Sequence, residues 1–256
     1  MSNINKAFEQ GKAFIGFLTA GDPDLETTKK CIISMEKAGA DLIEIGIPFS
    51  DPIAEGIVIQ GANIRALKSN TCLNDIFDMV KQLRTETKIP MVFLTYVNPV
   101  FNYGYEKFFK TCKETGVDGV IIPDLPYEEK NELKEYADKY DIDVISLIAP
   151  TSHDRIKTIA KEAKGFVYVV SSMGVTGVRS EITTDLAAIV KLIKETAPTP
   201  AAIGFGINTP EQAKYFSTIA DGVIVGSAIV KLIEKHGKNS PEYVYNYVKE
   251  MKDAIK

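Results

Sequence analysis

The segment Asp41-Leu42-Ile43-Glu44-Ile45-Gly46-Ile47 decides the fold class of this chain. It is short, rich in β-branched residues and almost continuously apolar, which is typical of a strand buried on both faces of a parallel sheet. Seven further segments of the same kind occur along the chain, and stretches with helical periodicity separate them. The eight predicted strands cover residues 13–19, 41–47, 90–95, 119–122, 143–148, 166–170, 200–204 and 222–225.

The intervening segments carry signals of helix starts. Thr209-Pro210-Glu211-Gln212 has the pattern of a capping box with proline at the first helical position. Ser240-Pro241 opens a last helix in the same way. We expect a further helix to start at Asp22-Pro23, with Asp22 as its N-cap.

Eight strands alternating with helices over 256 residues predict an α/β fold, with one domain over residues 1–256. The predicted architecture is a single (β/α)8 TIM barrel with extra N- and C-terminal helices. A doubly wound open sheet is the alternative. It favours a GxGxxG turn after the first strand, and Gly21-Asp22-Pro23 stands there instead. In a barrel of this kind the active site lies at the C-terminal ends of the strands.

Composition excludes several classes of function. Lys+Arg number 30 and Asp+Glu 34, a net charge of −4, so no broad basic surface for nucleic acid is expected. No apolar run approaches the roughly 18 residues of a membrane span, and the chain start lacks the apolar stretch of a signal peptide, so we expect a cytoplasmic protein. Cys31, Cys72 and Cys112 lie far apart and the two histidines, His153 and His236, stand in polar contexts, so neither disulfides nor a metal site are expected.

Glu44 is the clearest candidate for a catalytic group. A carboxylate within an apolar strand costs several kcal/mol unless it is paired, solvated by a cavity or protonated. Leu42, Glu44 and Gly46 share one face, and if that face points inward Glu44 reaches the barrel mouth with a raised pKa, as a general acid or base requires. The alternative is a structural ion pair with a Lys or Arg on a neighbouring strand.

Glu55, in the loop that follows, is the second candidate. Lying beside Gly56, it stands where a mobile loop could carry it over the mouth to face Glu44, and two carboxylates in different environments can serve as separate acid and base. A solvated loop charge is the alternative interpretation.

Glycine-bearing turns follow the last three predicted strands and indicate a phosphate site. Glycine lets backbone N–H groups approach an anion closely, and the last of these turns opens a helix whose N-terminus favours negative charge. We expect a small phosphomonoester as the ligand. The turns are Gly174-Val175-Thr176-Gly177, Gly204-Phe205-Gly206 and Gly226-Ser227.

Apolar and aromatic residues at strand ends could line a pocket for a flat apolar ring. Packing within the core explains each of them equally well. They are Phe17, Leu94, Tyr96, Tyr168 and Phe205.

Five segments together resemble the tryptophan synthase alpha subunit family, in order and spacing and over essentially the whole chain. GIPFSDP is the most specific part of the match, whereas GFGI and GSAIV also occur in other phosphate-binding barrels. The segments are FLTAGDP (17–23), EIGIPFSDP (44–52), GVTG (174–177), GFGI (204–207) and GSAIV (226–230).

The resemblance implies a lyase of tryptophan biosynthesis that cleaves indole-3-glycerol phosphate to indole and glyceraldehyde 3-phosphate by a retro-aldol step. Glu44 would protonate the indole ring and help deprotonate the glycerol hydroxyl, while Glu55 would bind the indole N–H. Thr176 would close over the site and bond Glu55, and Tyr168 would lie near Glu44. The further implied contacts are Phe17, Leu94, Tyr96 and Phe205 for substrate, and Gly177, Gly206, Gly226 and Ser227 for phosphate.

The resemblance also implies a partner, the beta subunit, in an alpha-beta-beta-alpha heterotetramer. Asp51 would lie on the surface that meets it. The beta subunit would carry pyridoxal phosphate and receive the indole, and this chain itself would need no cofactor and no metal.

Three positions depart from the family pattern. Glu55 replaces an aspartate and reaches one methylene further, so the loop must adjust. Ile57 stands where a proline commonly follows the glycine, and its loss is expected to loosen the loop in the free subunit. Gly16 also replaces a frequent proline. The departures around Glu55 leave open a catalytically weak subunit that mainly activates its partner. Another phosphosugar barrel, such as an isomerase or aldolase, also stays open, since it would share the phosphate site, although it does not explain GIPFSDP.

Overall fold

Eight parallel strands close into a barrel in the computed structural model, which describes residues 3–170, 186–204 and 206–256. Neighbours follow the chain order, and β8 pairs with β1 to complete the ring. The predicted barrel is confirmed, and the open doubly wound sheet is wrong. Each strand lies within one residue of its predicted ends. The strands are β1 (Ala13–Thr19), β2 (Leu42–Gly46), β3 (Met91–Leu94), β4 (Gly119–Ile121), β5 (Asp143–Ile148), β6 (Val167–Val170), β7 (Ala201–Gly204) and β8 (Gly222–Val225).

Helices surround the barrel and extend it at both chain ends. A short 3-10 helix, Asn3–Phe8, precedes β1, and the last helix, Ser240–Asp253, packs against the first, which accounts for the predicted extra helices. Two more 3-10 turns cover Tyr127–Glu129 and Gly237–Asn239. The α-helices are α1 (Leu25–Ala38), α2 (Ile57–Lys68), α3 (Leu73–Leu83), α4 (Val97–Tyr103), α5 (Tyr105–Thr115), α6 (Asn131–Tyr140), α7 (His153–Glu162), α8 (Leu186–Thr196), α9 (Pro210–Ile219), α10 (Ser227–His236) and α11 (Ser240–Asp253).

The barrel interior is a packed core that is closed at the N-terminal ends of the strands. Inward residues such as Ile15 and Leu42 form one cluster, and the 3-10 helix Asn3–Phe8 inserts Ile4 into it. Gly119 makes room for this insertion, because a Cβ at that position would lie 2.9 Å from the Cδ1 atom of Ile4. With this end filled, an active site is expected at the C-terminal ends of the strands, which we call the mouth of the barrel.

A second apolar core lies between the outer face of the barrel and the helices. Phe14 and Ile43 point outward from β1 and β2 and pack with Ile32 and Met35 of α1. Both faces of these strands are therefore buried, which is the physical reason for their continuous apolar sequences.

The start of α1 differs from the prediction. Asp24, and not Asp22, is the N-cap, and its Oδ1 accepts a hydrogen bond from the backbone N–H of Thr27 at 2.7 Å. Asp22 is instead buried, with both carboxylate oxygens accepting 2.8 Å hydrogen bonds from the guanidinium of Arg65 in α2. The carboxylate of Asp22 is therefore paired with a residue distant in sequence, and Asp24 caps the N-terminus of α1 instead. The predicted capping box of Thr209 is confirmed.

Within the described residues, every helix is too short or too polar to span a bilayer. Across the same residues, no group of three or more His, Cys, Asp or Glu side chains is arranged to hold a metal ion.

Candidate active site

Glu44 lies inside the mouth of the barrel. It follows the inward-facing Leu42 by two residues on β2, and it sits between Phe17 of β1 and Val92 of β3 in the strand register. The side chain is 1% exposed, and its Oε2 has no hydrogen-bond partner among the described residues. Burial, and secondarily the charge of Glu55, raises the pKa of the Glu44 carboxyl to about 8.

The structure does not favour the alternative of an ion pair. None of the ion pairs formed within the described part of the chain includes Glu44, although strands β1 and β3 flank it directly. Because a carboxyl with an open lone pair and a raised pKa holds its proton at neutral pH, Glu44 can act as a general acid.

Glu55 lies in the same mouth and is not a solvated loop charge. It is 7% exposed and directly precedes Gly56, the N-cap of α2. Its Oε2 accepts a 2.6 Å hydrogen bond from Nδ2 of Asn63. Burial raises the pKa of Glu55, while hydrogen bonds from Asn63 and Tyr96 oppose that rise.

The two carboxyl groups therefore differ in environment. Among the described residues, Oε2 of Glu44 has no donor, whereas Glu55 has Asn63 and Tyr96, and the charge of Glu55 further raises the pKa of Glu44. Paired carboxyl groups in environments that differ in this way are how enzymes assign separate acid and base roles.

Phe17 forms the apolar wall of the mouth beside the carboxyl groups. Its ring packs with Ile59 and Val230 and fills the space that a side chain would need at two glycines. A Cβ at Gly46 would lie 2.7 Å from the ring, and one at Gly226 would lie 3.2 Å from it. Glycine at both positions is thus what allows the ring to lie across the barrel mouth.

The other predicted pocket residues have different positions in the structure. Leu94 joins the barrel core to the cluster around Phe17 and is half-buried. Tyr168, also half-buried, packs its hydroxyl against Gly204, and the charge of Glu44 contributes to its raised pKa. Tyr96 is only 1% exposed, so it contacts Glu55 and Ala54 rather than open space.

The predicted phosphate residues lie in two turns at the C-terminal ends of β7 and β8. Gly226 is the N-cap of α10 and Ser227 is its first residue, both half-buried. Gly206 has φ +78°, a left-handed conformation that favours glycine, and a Cβ there would meet nothing within 4 Å. Backbone N–H groups at the start of α10 can therefore face an anion.

Some predicted residues cannot be placed in the site. Thr176, Gly177 and Phe205 lie outside the described residues. Asp51 is exposed in the β2–α2 loop, where its Oδ2 accepts a hydrogen bond from the Ser50 hydroxyl at 2.5 Å.

Sequence reasoning missed Asn63 and Gln60, which both contact Glu55. Gln60 donates from Nε2 to the backbone carbonyl of Glu55 at 2.7 Å. A signal was available, because Asn63 shares the buried side of α2 with Ile59 and Ala66 and is a polar residue at a core position. This is the same kind of anomaly that identified Glu44.

Comparison with known proteins agrees with the fold. The sequence model of the family described as "Tryptophan synthase alpha chain" matches residues 3–256. The tryptophan synthase alpha chain of Lacticaseibacillus casei is 51% identical, and the match covers 100% of this chain and 96% of that protein.

Solved structures extend the comparison. The tryptophan synthase subunit alpha of Legionella pneumophila has a TM-score of 0.89 at 34% identity, covering 100% of this chain and 98% of that one. The structure described as an α2β2 tryptophan synthase complex from Pyrococcus furiosus has a TM-score of 0.85 at 35% identity, covering 95% and 100%. Because it matches these proteins in sequence along its length and in fold from end to end, this chain belongs to the tryptophan synthase alpha chain family.

Proposed function

We propose that this chain is a lyase that cleaves indole-3-glycerol phosphate to indole and glyceraldehyde 3-phosphate. The observation that carries the proposal is the pair of buried carboxyl groups in one barrel mouth. Glu44 has an open oxygen and a pKa raised to about 8, and Glu55 is held by Asn63. An acid and an acceptor in opposite protonation states are what this cleavage needs.

The chemical steps follow from those states. The Glu44 carboxyl gives its proton to the ring carbon that bears the glycerol side chain, and the ring nitrogen becomes iminium-like while its N–H bonds to Glu55. The carbon–carbon bond then breaks, and its electron pair returns to the ring and forms indole. As it breaks, the Glu44 carboxylate takes the proton of the adjacent hydroxyl, which becomes the aldehyde. Glu44 ends the cycle protonated, as it began.

The walls of the mouth suit the two ends of this substrate. Phe17 and Leu94 offer an apolar surface for the indole ring, and Tyr168 stands near Glu44. Gly206 and the start of α10, with Gly226 and Ser227, would hold the phosphate by backbone N–H groups. The reaction is an acid–base cleavage, for which we propose no cofactor or metal in this chain.

We further propose that the chain works with a beta subunit in an alpha-beta-beta-alpha heterotetramer, as its Pyrococcus furiosus relative does. Three apolar side chains on segments beside the mouth are more than half exposed: Ile53 at 73%, Ile57 at 82% and Phe101 at 65%. Exposed apolar residues mark an interaction surface where they form one patch, and we propose that these three do so beside Asp51, which lies in the same loop as Ile53. Indole would pass to the pyridoxal phosphate of that partner.

Indole release from indole-3-glycerol phosphate, with and without a beta subunit, tests the proposal. We expect E44Q to lose at least about 100-fold in rate, since a positioned acid supplies that much, while it still stimulates the beta subunit. The matched control is E135Q, at an exposed glutamate of α6. Folded wild-type protein that releases no indole in either condition would refute the lyase. Stimulation of the partner without cleavage would instead identify an activating subunit.

The pH dependence gives an independent check. We expect kcat/KM to fall on the basic side with a midpoint near pH 8, because the raised pKa of Glu44 sets where the acid loses its proton. A rate that keeps rising through pH 9 would contradict the assignment of Glu44 as the acid.

A further inference from the structure

Two side chains of α2 turn back to hold Glu55 at both of its ends. Asn63 donates from Nδ2 to the carboxylate at 2.6 Å, and Gln60, one turn earlier, donates from Nε2 to the backbone carbonyl at 2.7 Å. Asn63 is 3% exposed and Glu55 is 7% exposed, so this contact is shielded from water. A shielded hydrogen bond to a charged group is among the stronger ones in a protein.

The surroundings of Glu55 make this contact decisive for its charge. Burial raises the pKa of Glu55, and the neighbouring Glu44 on β2 is a carboxyl group that supplies no positive charge to oppose this rise. Two more groups reinforce this setting: Asp124 lies near Tyr96, and Tyr168 on β6 lies near Glu44. No ion pair formed within the described part of the chain brings a cation to Glu55.

Among the described residues, two hydrogen-bond donors therefore favour the ionised form, and no cation does. Tyr96 is one, and its hydroxyl oxygen accepts from the Ala54 N–H at 3.3 Å, which leaves its proton for Glu55. Asn63 is the other. A carboxamide has no proton to lose over the working pH range, so its donor is present at every pH.

We propose that Asn63 is a positioning residue that holds Glu55 charged and aims its carboxylate into the mouth. The role rests on the function proposed above, in which Glu55 binds the indole N–H. It also explains how the chain accommodates glutamate at this position, because the longer side chain is fixed at its tip by Asn63 and at its backbone by Gln60.

The variants separate hydrogen bonding from packing. N63L keeps a similar volume without the donor, N63A removes both, and N63Q keeps the amide one methylene further out. Q60A is the matched control, since Gln60 contacts only the backbone of Glu55. Thermal unfolding establishes which variants fold. If N63L does not fold, the titration of Glu55 is compared in N63A and N63Q instead.

The first readout needs no substrate. With glutamate labelled at the side-chain carboxyl carbon, NMR follows the titration of Glu55, whose signal E55Q identifies. We expect the Glu55 midpoint to move upward by about one pH unit or more in N63L and N63A, to recover partly in N63Q, and to stay in place in Q60A.

The second readout is kinetic. We expect N63L to lower kcat/KM about 10- to 100-fold at neutral pH, mostly in kcat, and to shift the acid side of the pH profile upward with the NMR midpoint. An unchanged Glu55 titration in a folded N63L or N63A would overturn the proposal. If wild-type protein releases no indole, the proposed function fails while the titration still decides the role of Asn63.

Discussion

Replacing Glu44 by glutamine should change how stability depends on pH, and this can be measured without substrate or partner. Burial raises the pKa of Glu44 from an ordinary value of 4.5 to about 8. Between these values the native state keeps a proton that the unfolded chain has lost. Raising the pH through this window therefore lowers the free energy of unfolding of the wild-type protein. E44Q has no proton to lose at this position, so its stability should not fall for this reason.

The size of the effect follows from the same shift. Each pH unit within the window costs the wild-type native state up to about 1.4 kcal/mol. Between pH 6 and pH 8, allowing for half-titration at the upper end, the wild type should lose about 2 kcal/mol more than E44Q. This is a large fraction of the 5–15 kcal/mol that typically stabilises a folded protein.

Urea unfolding followed by circular dichroism at pH 6 and pH 8 measures this difference. The absolute stability of E44Q is not the readout, because a buried amide has costs of its own and only the change with pH isolates the carboxyl. E135Q, exposed on α6, serves as the control and should follow the wild type. Equal pH dependence in wild type and E44Q would refute the buried, protonated state of Glu44, and with it the acid role.

Three further predictions test other parts of the fold. G46A should push the Phe17 ring out of the mouth, which should raise KM and lower the free energy of unfolding by about 1–3 kcal/mol. The double variant G46A/F17A should recover most of that stability, which a double-mutant cycle in urea unfolding measures. R65A should destabilise the protein by about 3–5 kcal/mol in thermal or urea unfolding, because it leaves the carboxylate of Asp22 buried and unpaired, and R65A/D22N should recover much of it. I57S should weaken the stimulation of indole release by a beta subunit without changing the rate of the free chain, and equal stimulation in titrations with that subunit would remove Ile57 from the docking surface.

The fold was predictable from the sequence because its strands are buried on both faces. A segment such as residues 222–225 (Gly-Val-Ile-Val) is apolar throughout, and all eight strands were predicted to within a residue of their ends. The start of α1 was predicted wrongly for a different reason. Asp22 and Asp24 are both good caps locally, and the choice between them depends on Arg65, which is distant in sequence and reaches Asp22 only in the folded barrel.

The candidate site was predictable where a residue conflicted with its local surroundings. Glu44 was visible because a charge interrupts an apolar strand. Asn63 conflicts with the buried side of α2 in the same way, but an asparagine within an amphipathic helix is a much weaker anomaly than a carboxylate within a buried strand. Its partner Glu55 precedes it by eight residues, and the two side chains meet in the folded protein because α2 begins directly after Gly56.

Glycines show most clearly what a sequence leaves open. Gly226 was predicted to let backbone N–H groups approach a phosphate, and its place as N-cap of α10 is compatible with that role. The structure adds a separate requirement, because a side chain there would also press on Phe17 of the neighbouring strand β1. One position thus serves both the predicted anion site and the apolar wall. A substitution at Gly226 would therefore disturb both ends of the pocket at once. At Gly206 a side chain would meet open space, and its effect would come instead from strain in the left-handed backbone of that turn (φ +78°).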